Sequence, residues 1–191
     1  MTIQEENQQN ARSYKLMLLF GMISMFMVFA GLTSAYIVSA SRKDWIHTMI
    51  IPPAFTVSTI LILISSVTIF LANVAIKHDK HKKTTLYLYT TLVLGLLFVY
   101  SQFVGFKEVI AMGYFFTGSE SSVTSSFLYV LTILHLVHLA AGIISLLVVI
   151  YNNHKHKYNS TQSTGLELAG MFWHFLDFVW VYIFLFLFFV K

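Results

Sequence analysis

Polar and charged residues along this chain leave five long gaps. From Leu16 to Ala40, Ala54 to Ile76, Thr85 to Phe106, Ser126 to Tyr151 and Leu168 to Val190 the residues are almost wholly apolar or small. A helix needs about 20 such residues to cross the hydrocarbon of a bilayer. None of the runs shows the strict alternation of a barrel strand, so they predict helices and exclude a β-barrel. The predicted fold class is therefore all-α, a polytopic bundle of five transmembrane helices. Residues 1–15 form a tail ahead of one membrane domain spanning 16–191. The first run is too long for a signal-peptide core and has no convincing cleavage site, so it is expected to be retained. Pro52 and Pro53 mark the entry to the second crossing, where a proline is tolerated.

Composition sharpens the picture. Apolar types make up 57% of the 191 residues and charged types 10%, against about 25% charged in soluble domains. The absence of cysteine removes disulfides, thiolate metal sites and iron–sulfur clusters. No soluble domain, tandem repeat or nucleotide-binding loop is visible, and nothing suggests a nucleic-acid partner. An odd number of crossings argues against a transporter made of two equal inverted halves. With five crossings, Arg12, Lys15, Lys77, Lys80, Lys82, Lys83, Lys155 and Lys157 share one side, and Arg42, Lys43, Lys107 and Lys191 the other. The excess of positive charge places the amino terminus in the cytoplasm and the carboxyl terminus outside.

The second crossing carries Ser58 and Thr59, Ser65 and Ser66, then Asn73, a polar stripe at heptad spacing with Thr68 close by. Gly31, Ala35 and Ser39 make a comparable series on the first. Small polar residues on one face let helices approach and hydrogen-bond. An ion path is the functional alternative, but no charge accompanies either stripe. The basic loop with Lys77, Lys80, Lys82 and Lys83 is expected to attract anionic lipid headgroups, at about 1 kcal/mol per residue. His154 and His156 would share that side, although lysine-flanked histidines without an orienting shell make a poor metal site.

Only four ionisable residues lie inside the crossings: His135, His138, His174 and Asp177. Each pair is spaced three apart, so its members project from one helix face. A charged Asp at mid-bilayer costs roughly 2.5–3.5 kcal/mol, so Asp177 is expected to be protonated or hydrogen-bonded to a histidine. Two histidines at this spacing cannot occupy opposite faces of one haem iron, and three histidines with one carboxylate are too few for a di-iron centre. An interhelical polar network joining the last two crossings is the favoured reading. A proton relay, as in a small proton-coupled transporter component, stays open beside it.

At this point the residues resemble subunit III of the haem–copper terminal oxidases, a family that serves both cytochrome c and ubiquinol oxidases. Trp173-His174-Phe175-Leu176-Asp177-Phe178-Val179-Trp180 looks like its W-H-F-x-D-x-x-W signature, with Glu167 upstream where the family often has a glutamate. Ser125-Ser126-Phe127, His135, His138 and Gly142 are similar to S-S-F…H-x-x-H…G. Leu94-Gly95, Phe98 and Gln102 resemble L-G-x-x-F-x-x-x-Q. Ser65-Ser66 with Thr68, and Phe29-Ala30-Gly31-Leu32 with Ala35-Tyr36, complete an ordered series over all five crossings. Some members have seven helices, and this chain looks like the five-helix form. Met25 and Gly105 stand where many members carry buried glutamates, so roles of those carboxylates do not transfer.

The resemblance implies an accessory subunit with no catalytic, cofactor-binding or metal-binding residues of its own. Haem and copper would sit in partner subunits I and II. This chain would pack on subunit I, bind phospholipid and support stability and proton uptake in aerobic respiration. The expected site residues are structural: a polar network of His135, His138, His174, Asp177 and Glu167, and packing positions Ser58, Thr59, Ser65, Ser66, Thr68 and Gln102. Cytochrome c is favoured over quinol as donor, the location is the bacterial cytoplasmic membrane, and membership of a larger respiratory supercomplex is conceivable.

Overall fold

In the computed structural model the apolar runs become α1 (Ile3–Ser39), α2 (Pro53–Lys77), α3 (His81–Ala111), α4 (Val123–His154) and α5 (Thr164–Phe189). The structure describes residues 3–42, 45, 51–118, 121–159 and 163–190. Lys43 and Lys191, used above in the charge count, lie outside the described residues. All five helices are long and apolar enough to cross a membrane.

All five helices begin before their apolar runs, and α2, α3 and α4 also end beyond them, because hydropathy marks the membrane and not the helix. The largest extension is at the amino end, where residues read as a tail from 1 to 15 belong to α1 from Ile3 onward. Residues such as Gln, Glu and Arg hold helical backbone well, and nothing in the sequence before Leu16 breaks it. Pro53 begins α2 behind Pro52, where its missing N–H costs no intrahelical bond. His78, Asp79 and Lys80 alone join α2 to α3, with Asp79 turned to a φ of 52°. That short connection makes an antiparallel hairpin. α4 opens on a reciprocal cap: the Ser125 N–H donates to Ser122 Oγ and the Ser122 N–H to Ser125 Oγ.

α5 is the organising helix, packing against α1, α2 and α4, while α3 lies between α2 and α4. Trp173 and Trp180 of α5 are both about 1% exposed and fill the centre with Phe98, Ile62, Ile69 and Leu139. Close approach is set by two glycines. A Cβ at Gly95 would stand 2.8 Å from the Trp173 ring, and one at Gly142 would stand 2.6 Å from Leu176 Cδ1. By contrast α1 is held along one narrow seam that includes Met22, Phe29, Thr33 and Tyr36. The outward faces carry large apolar side chains such as Met17, Val38, Val67 and Tyr100, the surface a helical membrane protein presents to lipid.

Candidate functional site

The stripe on α2 is a row of hydrogen-bond partners for two other helices, α3 and α5. Gln102 Nε2 of α3 donates to Ser58 Oγ at 2.8 Å. The indole N–H groups of α5 donate in register, Trp180 to Thr59 Oγ1 and Trp173 to Ser65 Oγ, both at 3.0 Å. Thr68 Oγ1 meets Thr91 Oγ1 of α3 at 2.7 Å, and Ser66 Oγ meets His174 Nδ1 of α5 at 2.6 Å. Ser58, Thr59, Ser65 and Thr68 also donate back to carbonyls of their own helix, so each hydroxyl can accept from a neighbour. The two tryptophans escaped the sequence reading as donors. Their seven-residue spacing, matched to hydroxyls at 59 and 65, was the available signal.

The four intramembrane ionisable groups are distributed differently from the expectation of one hydrogen-bonded network. Among the described residues no hydrogen bond joins any two of them. His135 is fully buried, with neither ring nitrogen partnered. It sits among the rings of Phe29, Phe98 and Trp180, with centroids 6.5, 5.9 and 5.1 Å away. His138 turns its Nδ1 to the carbonyl of Leu134 in the preceding turn, at 2.8 Å, and lies against Phe29. His174 pairs with Ser66 instead of a histidine. Asp177 is 3% exposed, and neither carboxyl oxygen has a hydrogen-bond partner. Ser66 also faces this carboxyl. Residues three apart on a helix still point some 60° apart; the members of each pair share one neighbour, Phe29 for the histidines of α4 and Ser66 for His174 and Asp177, without bonding to each other.

Glu167 belongs to a separate ionic cluster at the start of α5. Its Oε2 accepts from Lys15 Nζ of α1 at 2.7 Å, its Oε1 accepts from Ser163 Oγ at 3.1 Å, and Lys77 Nζ of α2 stands 3.8 Å from Oε1. One carboxylate therefore joins three helices, α1 through Lys15, α2 through Lys77 and its own α5. Lys15 and Ser163 were not foreseen in this role, and Lys77 was read only as a lipid-facing charge. Lys80, Lys82 and Lys83 are exposed at the same end. Asn153 Nδ2 donates to Thr85 Oγ1 at 2.8 Å there, and the His81 and His156 rings meet edge-on at 5.5 Å. Among the described residues no group of three or more His, Cys, Asp or Glu side chains is placed to hold a metal ion. Of the two departures noted above, Met25 packs half-buried against the core, and a Cβ at Gly105 would stand 3.2 Å from the Phe55 ring.

What these side chains do together is join helices across the membrane. The comparisons agree with that character. The family pattern described as cytochrome c oxidase subunit III matches residues 4–191. The chain is 29% identical over 177 residues to a cytochrome c oxidase subunit 3 of Thermostichus vulcanus, covering 87% of this chain and 82% of the relative. It is 35% identical over 128 residues to a cytochrome c oxidase subunit 3 of Alkalihalophilus pseudofirmus, covering 67% and 61%. A cytochrome bo(3) ubiquinol oxidase subunit 3 of Pseudomonas putida is 28% identical over 161 residues, covering 84% and 74%. Five membrane-spanning helices, the W-H-F-x-D-x-x-W segment set into their centre, and a match running almost end to end lead to one conclusion: the chain belongs to the cytochrome c oxidase subunit III family, integral membrane subunits of haem–copper terminal oxidase complexes.

Proposed function

We propose that this chain is the accessory, cofactor-free third subunit of a proton-pumping haem–copper oxidase that reduces oxygen to water. It packs on the haem-bearing subunit I, binds phospholipid, and supports proton uptake and the durability of the catalytic core. The observation that carries this reading is the family match over residues 4–191, laid on a chain whose interior polar groups largely bond between helices. In this reading cytochrome c is the electron donor in preference to quinol, although the relatives carry both names. The charge asymmetry supports a cytoplasmic amino terminus in a bacterial inner membrane.

Lipid binding is supported by an open groove of about 700 Å³ between α1, α4 and α5, with Met17, Leu18, Val148 and Phe172 on its walls and Tyr14 and Tyr158 toward its polar end. Acyl chains suit the walls, and the nearby basic residues suit an anionic headgroup. The test is extraction from native membranes in a mild detergent, followed by mass spectrometry and a haem spectrum. The chain should travel with a haem-bearing subunit I and a subunit II whose copper-binding domain reports the donor. Its isolation alone, under conditions that keep other respiratory complexes whole, would sink the proposal.

A further inference from the structure

α5 shows the membrane one continuous stripe. Met171, His174, Phe178, Val181 and Leu185 follow at spacings of three and four, the repeat of a helix–helix seam. Met171, Phe178 and Leu185 are exposed, and His174 and Val181 partly so. The stripe is recessed. α1 and α2 flank α5 on either side, yet among the described residues no Cα of one comes within 8 Å of a Cα of the other. Phe26 of α1 leans toward Phe178, with ring centroids 6.3 Å apart, and Ser66 of α2 reaches His174 from the other lip. At one end the slot is closed by the Glu167 carboxylate, which binds Lys15 from α1 and approaches Lys77 from α2.

The polarity of the slot is unlike a lipid-facing surface. His174 is the eleventh residue of the 26-residue α5 and Ser66 the fourteenth of the 25-residue α2, so the pair lies near mid-depth. Only Nδ1 of the imidazole is engaged, and the one Ser66 hydroxyl that meets it also faces the buried carboxyl of Asp177. A polar group in hydrocarbon without a partner is strongly disfavoured, and acyl chains offer neither donor nor acceptor. A second copy of this chain cannot fill the slot symmetrically, because the same stripe in that copy is also recessed between its own α1 and α2.

We propose that the slot between α1 and α2 receives one membrane-spanning helix of the catalytic partner subunit, apolar along most of its face and carrying a hydrogen-bonding side chain opposite His174. This rests on the accessory-subunit reading above and assigns the docking face within it. The helix would run along the five-residue seam, with its polar residue completing the Ser66–His174 pair.

The test uses the intact complex isolated from native membranes, with the photo-crosslinker p-benzoylphenylalanine placed at Phe178 and, as a control, at Ile144 on the outward face of α4. Position 178 should crosslink to the haem-bearing subunit, within a membrane-spanning peptide identified by mass spectrometry, and position 144 should not. In parallel, His174→Leu should lower the recovered haem-bearing subunit per chain by about threefold, while His174→Gln keeps most of it, as expected for one lost interhelical hydrogen bond. A complex that copurifies intact while position 178 reacts only with lipid, or with a second copy of this chain, overturns the docking face and leaves the accessory-subunit reading standing. A chain that purifies with no haem-bearing partner overturns both.

Discussion

At the scale of single residues, the interior divides polar groups that have partners from those that do not, and the two should respond to mutation with opposite signs. Trp173 and Trp180 donate to Ser65 and Thr59 from fully buried positions. Such bonds in membranes average about 0.6 kcal/mol and reach about 1.7. Ser65→Ala and Thr59→Val should each cost about that much when unfolding is followed in a denaturing detergent. Equal stability of wild type and both variants would show that the indoles need no acceptor. His135 is the converse case: buried, ringed by aromatics and unpartnered at both nitrogens. Removing a buried polar group that lacks a partner is neutral or favourable, so His135→Phe should keep or raise stability by about 1 kcal/mol. A loss of that size would reveal a partner the aromatic cage does not supply. Neither behaviour was legible in the sequence. The i, i+3 spacing of His135 and His138 showed that they share a face, but what that face meets depends on how far α4 is rotated against α1, α3 and α5.

At the scale of elements, crossing number and position followed directly from uninterrupted apolar runs, because a bilayer demands a length that few other environments do. Helix ends did not, as α1 shows: Ile3–Tyr14 is polar and helical, and a hydropathy pattern is silent about helices in water. α1 is also the element with the least support, touching α4 and α5 by one seam and tied at its polar end by Lys15 to Glu167. Glu167→Gln removes the ion pair and leaves Lys15 half-exposed without its counter-charge. Because the pair is partly open to solvent, the global cost should be small, on the order of 0.2–1 kcal/mol. The local effect should be larger: hydrogen exchange over residues 9–20 should speed up severalfold while α2 and α3 stay unchanged. Uniform acceleration across all five helices would show that Glu167 supports the bundle and not the attachment of α1. The close crossings offer a sharper contrast. Gly142→Val would drive a branched side chain into Leu176 and should cost several kcal/mol or block accumulation, whereas the same change at Gly31, whose Cβ would meet nothing within 4 Å, should leave the bundle intact.

At the scale of the whole molecule, the question is which end faces the cytoplasm. The Glu167 cluster fixes the relation between ends without reference to a membrane: the polar end of α1, the end of α2 and the start of α5 lie together, so the end of α5 lies opposite. Lys80, Lys82 and Lys83 stand exposed at the clustered end. A lysine-rich end is retained in the cytoplasm because moving it across during insertion opposes the membrane potential and forfeits attraction to anionic lipid. The chain has no native cysteine, so single thiols report their own side unambiguously. Lys80→Cys, in the short turn between α2 and α3, should resist a membrane-impermeant maleimide in intact cells and react once cells are opened. Met112→Cys, just past the other end of α3 and exposed, should react in intact cells. The reverse pattern would place the clustered end outside. In that case the lysines would not set orientation, and the ion-paired end, where Glu167 closes the slot between α1 and α2, would face away from the cytoplasm.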